Sequence, residues 1–319
     1  AMDSAAVNLV ERGDDVLVVN TGYFGDRMGE ILERYGANVT HLRAEPGERP
    51  ESEQIEHALS ERRYKAVFIT HVDTSTGVLM DIKEAARLCK DAGALVVVDG
   101  VCSVGGEELK MDEWGVDVAF TASQKAIGVP PGLALLVVSE RAMAAFRQRK
   151  TPAANYYADW ANWKPVMEAY EARKSAYFGT PAVNLIFALN VSLGQILDEG
   201  MEARIARHKT LGNACKAAIS ALGLTQIAAR PEAAAHTMTA PRFPKGVNGA
   251  DFLAQTTRAG VVLAGGLHPK LRSEYFRIGH MGAVKLSDIS GTIGAVEQAM
   301  TACRCDCHKG AGVAAVMNS

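Results

Sequence analysis

Two apolar runs near the middle of the chain each end on an ionisable residue. Residues 94–98 (ALVVV) stop at Asp99, and residues 116–122 stop at Ser123-Gln124-Lys125. A lysine amine forms Schiff bases with carbonyl compounds, pyridoxal phosphate among them. A carboxylate facing the pyridine nitrogen of that cofactor keeps the ring protonated and makes it an electron sink. Asp99 and Lys125 therefore have the right types for one shared site. Spacing alone also fits a plainer arrangement, in which Asp99 caps the next turn and Lys125 is a solvated loop lysine.

The elements that must position this pair follow from the pattern around it. Continuous apolar strands suit a parallel sheet covered on both faces, and ligands collect at the carboxyl ends of such strands. The chain opens in a helix ending over residues 5–12. Strands are expected at residues 16–20, 38–42, 65–71 and 133–138, with helices at 26–35, 51–61, 81–92 and 140–148. This strand–helix order implies right-handed parallel crossovers. Pro130-Pro131-Gly132 stops any helix after Lys125 and stiffens the loop that carries it. Helical pattern dominates residues 185–222, with a domain boundary near Gly200. Short strands at 236–243, 261–264 and 275–278 alternate with helices near 250–259 and 286–302, which fits a smaller α+β unit. The fold class is α/β: a mainly parallel sheet with helices on both faces over residues 1–199, then a small α+β domain over 200–319.

Composition narrows the function classes. A chain of 319 residues is long enough for two domains and a large core. A net charge of −2 gives no electrostatic reason to expect nucleic acid or an anionic membrane as partner. No apolar run approaches the roughly 18–20 residues that span a bilayer, so the chain reads as soluble and globular. Cys89, Cys102 and Cys215 lie in or beside apolar segments as buried thiols, and no disulfide framework is visible, which points to a reducing compartment. The tail CRCDCHKG holds Cys303, Cys305, Cys307 and His308. Structural zinc sites space their cysteines more widely and need a second cluster. The tail is expected to be solvated, with no metal. The terminal Met317-Asn318-Ser319 does not match the S-K-L address.

The letters around the two strand ends add a resemblance. VDGVCSVGG followed by SQKAIGVPPG resembles the core of the class V (fold type I) pyridoxal-phosphate aminotransferases, most closely their alanine–glyoxylate and serine–glyoxylate branch. NTGYFGDR at 20–27, HVDTSTGV at 71–78, YFGTPAVN at 177–184 and FRIGHMG at 276–282 follow in that family's order and spacing. The resemblance implies a seven-stranded-type large-domain sheet and pyridoxal 5′-phosphate held by Lys125, with Asp99 at its ring nitrogen. It also implies an aromatic residue stacking on the ring at Phe24, where Trp is usual. Thr74 lies near the ring oxygen and the substrate, and Gln124 at the phosphate. Tyr177 and Thr180 reach the phosphate of a partner subunit's cofactor, so a homodimer with shared sites is expected. Arg277 is the clamp for the substrate's α-carboxylate, a task that the planar guanidinium fork suits.

Each of these residues has a structural explanation as well. Phe24 is a hydrophobic staple in a loop before its helix, Thr74 a backbone cap, Gln124 a surface amide and Arg277 a surface ion pair. Thr180 with Pro181 reads as a helix start. The family's phosphate-binding Gly-Ser/Thr-rich turn is not in the sequence, and the chain reads as N-terminally incomplete. The reaction expected is transfer of an amino group from alanine or serine to glyoxylate, with amino and keto acids as the only partners besides a second copy. The rivals are a phosphonate transaminase, a cysteine desulfurase, which would need a reactive cysteine near 255–280 that is not there, and a non-catalytic subunit.

Overall fold

A computed structural model describes residues 1–306 and 308–319; Cys307 of the tail lies outside them. The elements run in order α1 (Met2–Leu9), β1 (Asp15–Asn20), α2 (Tyr23–Arg34), β2 (Asn38–Arg43), α3 (Ser52–Glu61), β3 (Ala66–Thr70), β4 (Val72–Asp73), β5 (Val78–Leu79) and α4 (Ile82–Asp91). Then come β6 (Leu95–Asp99), α5 (Met111–Trp114), β7 (Val118–Ala122), β8 (Ala134–Val138), α6 (Glu140–Arg147), α7 (Trp160–Glu171), α8 (Val183–Glu199) and α9 (Met201–Ala221). A 3₁₀ turn at Pro231–Ala233 precedes β9 (Met238–Thr239), α10 (Gly249–Arg258), β10 (Ala264–Gly265), β11 (Phe276–Gly279), α11 (Leu286–Ala302) and α12 (Ala311–Met317).

The central sheet has six strands among the described residues, in the order β2-β1-β3-β6-β7-β8, one fewer than the seven-stranded type. Five run parallel, and β8 closes one edge antiparallel to β7. Successive side chains point to opposite faces, which explains why the strands are apolar throughout. Val16, Val18, Phe68, Val97 and Phe120 pack under α1, α2 and α6. Leu17, Val19, Ile69, Val96 and Val98 pack under α3 and α4. After β1 the chain adds β2 on one side and β3 on the other, so the direction of winding reverses between β1 and β3. Such a switch opens a crevice at the carboxyl ends of the strands.

The second core lies between α9, α10, α11 and the three-stranded sheet β10-β11-β9. Gly200, at φ +81°, separates α8 from α9, a backbone shape that glycine adopts without penalty.

Several local expectations are corrected. Phe24 is inside the first turn of α2 and not in a loop before it. Thr180 does not cap α8: the helix begins at Val183, whose N–H reaches back to the Pro181 carbonyl, and the Thr180 hydroxyl meets Tyr177 Oη instead. Trp160, Trp163 and Tyr170 lie on a helix, α7, which starts on the Asp159 cap. The tail is not simply solvated. Cys303 and Cys305 pack against the second core, and α12 turns back to bury Val316 there. Gly312 is needed for that fit, because a Cβ would lie 2.8 Å from Ile293 and 3.0 Å from Leu222.

The return of α12 is anchored by one carboxylate. Glu297 of α11 accepts hydrogen bonds from the N–H groups of Gly310 (3.0 Å) and Gly312 (2.8 Å), at the start of α12. Helix starts leave such donors without partners in the helix itself. Glu297→Ala is expected to lower unfolding stability by about 2 kcal/mol, read as a shift of the urea midpoint.

Candidate active site

Four strand ends meet at the crevice rim. β1 leads into Asn20-Thr21-Gly22, β3 into the hairpin β4–β5, β6 ends at Asp99, and β7 leads to Lys125. Asp99 is buried, and its Oδ1 accepts from the Val101 N–H at 3.0 Å. The Lys125 side chain is half-buried and makes no hydrogen bond or ion pair among the described residues. Its positive charge pulls down the titration of both Asp99 and the buried thiol of Cys102, against the upward push of burial on each. The structure thus brings together the two residues that the sequence paired.

Asp73 was missed by sequence reasoning, and it organises the wall beside Asp99. It is fully buried, accepts from Ser75 N–H and Ser75 Oγ at 2.8 and 2.6 Å, and accepts from Phe24 N–H at 3.1 Å. Ser75 Oγ in turn accepts from Tyr23 N–H. The hairpin loop therefore supplies the acceptors that the first turn of α2 lacks, and this fixes where Phe24 stands. Gly22 has to be glycine here, since a Cβ would lie 2.8 Å from Asp73 Cγ. The Asp-Thr-Ser run was the available signal, because Asp side chains commonly bond the backbone two residues on. Phe24 and Tyr23 meet edge to face, with Arg27 over both rings at 5.0 and 4.9 Å.

Arg277 reaches this wall from the second core. Its Nε donates to the Gly265 carbonyl at 2.8 Å, and its Nη1 lies 3.5 Å from the Thr74 carbonyl. Among the described residues it has no acidic partner, so the surface ion pair is not formed. Tyr275, two residues earlier, donates to the Ser75 carbonyl and accepts from Leu267 and His268 N–H. Thr74 is half-buried between these contacts, whereas Gln124 is exposed beyond β7. Tyr177 and Thr180 are exposed before α8, with their hydroxyls 3.1 Å from each other.

Residues 1–291 match the family model for aminotransferase class V. The chain belongs to the class V aminotransferases. It is 43% identical over 275 residues to an alanine–glyoxylate aminotransferase of Saccharomyces cerevisiae, covering 84% of this chain and 71% of that protein. A serine–glyoxylate aminotransferase of Methylorubrum extorquens is 34% identical, covering 98% of this chain and 79% of that one. The crystal structure of a ureidoglycine–glyoxylate aminotransferase from Bacillus subtilis superimposes with a TM-score of 0.92 at 28% identity, over 99% of this chain and 81% of that one.

The cofactor of a class V aminotransferase is pyridoxal phosphate, and the residues present suit it. Asp99 spends one oxygen on the backbone and keeps the other for a ring N–H, while the Lys125 amine is uncommitted. Among the described residues, the hydroxyls of Thr21, Ser103 and Thr121 are also buried without a partner at this end of the sheet. Unsatisfied buried polar groups are uncommon away from functional sites.

Burial, with a smaller contribution from the charge of Asp73, pushes the Asp99 carboxyl up to about 6, against an ordinary 3.8. The folded chain holds this proton more tightly than the unfolded chain. Ionised Asp99 therefore costs stability above pH 6, and the cost fades as pH falls toward 4. Asp99→Asn is expected to stabilise the cofactor-free protein by about 2 kcal/mol at pH 8, with the gain gone near pH 4, while weakening cofactor binding. Thermal melts at the two pH values and a cofactor titration check both signs.

Proposed function

We propose that this aminotransferase moves the amino group of a small amino acid, alanine or serine, to glyoxylate, and that Asp99, Lys125 and Arg277 carry the reaction. The observation behind this assignment is the convergence of three groups from distant segments. They are a buried carboxylate, an uncommitted amine and a guanidinium with no acidic partner. Several relatives named as glyoxylate aminotransferases support the acceptor.

Pyridoxal phosphate, when bound, supplies an electron-poor ring that carries the amino group between substrates and takes up charge from the substrate Cα. Lys125 Nζ is the point of covalent attachment. Once released, the same amine would take the proton from the substrate Cα as base and give it back as acid on the cofactor side, so that it ends the half-reaction neutral again. Ionised Asp99 would accept a hydrogen bond from the ring N–H and keep that proton in place. Arg277 orients both the amino and the keto acid by their carboxylates. Its Nε is fixed on Gly265, which sets the plane of the guanidinium and leaves the two terminal nitrogens as a fork. Phe24 and Thr74 would hold the ring, and Gln124 would bind the phosphate.

Tyr177 and Thr180 belong in this scheme to a neighbouring subunit's site. Support comes from α8, which exposes Ile186, Phe187, Val191 and Leu197 together, an apolar surface of the kind subunit contacts cover. A homodimer with shared sites accounts for that surface and for the exposure of the two hydroxyls.

Lys125→Ala is expected to abolish the absorbance of covalently held cofactor and to lower kcat by roughly 10³-fold or more. Colour and turnover at parental levels would remove Lys125 from the site. Arg277→Ala is expected to raise KM for both alanine and glyoxylate roughly 10- to 100-fold. Steady-state kinetics with each substrate varied in turn provide the check, and unchanged KM values would remove the clamp.

A further inference from the structure

The start of α9 carries Arg204, Arg207 and His208, spaced i, i+3 and i+4 and therefore on one face of the helix. Arg204 is buried, and each part of its guanidinium is committed. Nε donates to the Gly105 carbonyl at 2.8 Å, Nη2 to the Ala126 carbonyl at 2.5 Å, and Nη1 to Glu199 at 2.7 Å. Gly105 lies in the turn that follows Asp99, and Ala126 is the residue after Lys125. One side chain thus ties together the two loops that bear the carboxylate and the amine.

Its neighbours extend the tie to a third loop. Arg207 donates to the carbonyls of Gly282 (3.1 Å) and Val284 (2.9 Å), just beyond β11 and Arg277. His208 Nδ1 bonds the Arg204 carbonyl, and its Nε2 accepts from the Gly282 N–H at 3.0 Å. The backbones are close enough that a Cβ on Gly282 would sit 3.6 Å from the Ala126 carbonyl. Gly105, at φ +85°, packs against Ala126 from the other side.

Glu199 occupies a position that local electrostatics disfavour. It is the last residue of α8, where the helix dipole opposes a carboxylate. Hydrogen bonds from Arg207 and Arg204 outweigh this and hold its carboxyl down at about 2. The acid therefore stays ionised across the range in which an aminotransferase works, and the two guanidiniums stay aligned. Arg141 provides a contrast within the same chain. It bonds a buried aspartate, Asp117, and the carbonyls of Gly93 and Ala94, at the opposite end of the sheet from Lys125.

We propose that Arg204, aligned by Glu199, is a positioning residue for the transamination: it fixes the lysine loop against the loop of Asp99. Arg207 and His208 bring the loop beyond Arg277 to the same helix face. The proposal rests on the assignment of Asp99 and Lys125 to the site. Loss of Arg204 leaves the substrate's carboxylate clamp in place while loosening the amine, so it acts on kcat and on attachment at Lys125 and leaves KM alone.

The test uses the full chain loaded with pyridoxal phosphate and compares the parent with Arg204→Met, Arg204→Lys and Arg141→Met. Three quantities are read per folded, loaded site: kcat, KM for alanine, and the fraction of cofactor fixed to Lys125 by borohydride, by peptide mass spectrometry. Arg204→Met is expected to lower kcat about 10- to 100-fold, with KM within about twofold of the parent, and to reduce fixation at Lys125. Arg204→Lys should recover part of both, because an ammonium cannot serve the two carbonyls and Glu199 together. Parental kcat and fixation in Arg204→Met, or equal losses in Arg141→Met, would overturn the proposal. If Arg204→Met does not fold, Arg204→Lys decides by the same readings. Undiminished fixation in a Lys125→Ala control would overturn the site assignment itself, a separate failure from that of Arg204.

Discussion

Asp99 ends β6 where water is excluded and the ionised carboxyl is disfavoured. A buried carboxylate is costly unless a cation or hydrogen-bond donors compensate it. Here the backbone supplies one donor, from Val101, and Lys125 supplies a nearby positive charge. The arrangement is incomplete from the standpoint of stability and suited to a cationic ring nitrogen. Sites that accept such a cost are the ones where function and stability pull in different directions. The surrounding loops keep the carboxylate, the amine and the guanidinium in register around it.

That register comes mostly from side chains that bond backbone, and less from the sheet. The sheet delivers the ends of β1, β3, β6 and β7 to one rim because parallel strands share a direction. Beyond the rim the chain has no ladder to hold it. Asp73 and Ser75 dock the first turn of α2, and Tyr275 secures the hairpin loop that carries Thr74. Glu107 accepts from the N–H groups of His236 and Thr237, joining the loop after β6 to the strand that begins the second sheet. Arg204 and Arg207 complete the set from α9. Each is a buried or half-buried polar group with its partners supplied, the condition under which polar networks make a single arrangement specific.

Some of this was legible in the sequence. The apolar runs ending at Asp99 and Lys125 have the period of buried strands, and the alternation with amphipathic helices predicts parallel crossovers. These features depend on local pattern, which a single sequence displays. The strand ends of the central sheet therefore fell within one or two residues of the observed ones, whereas the short strands expected at 236–243 and 261–264 shrink to Met238–Thr239 and Ala264–Gly265. The cap of α8 was less legible. Thr180-Pro181 carries good helix-start chemistry, yet the Thr180 hydroxyl bonds Tyr177 and the helix begins at Val183. The role of Asp73 was concealed because an acidic residue in a turn has an adequate local explanation. The return of α12 was concealed because AGVAAVM, though apolar, is too short to display a period and follows a polar tail.

By itself, then, the sequence determined the strand–helix alternation, the identity of the residues at the strand ends, and the family motifs that contain them. Tertiary structure alone decided which of those residues meet. Arg277 lies 203 residues from Thr74 in the chain, and Arg204 lies 99 from Gly105 and 78 from Ala126. No periodicity over a few turns encodes such contacts. They arise when the second core closes against the rim of the sheet, where burial and unsatisfied carbonyls select the one packing in which each guanidinium finds its partners.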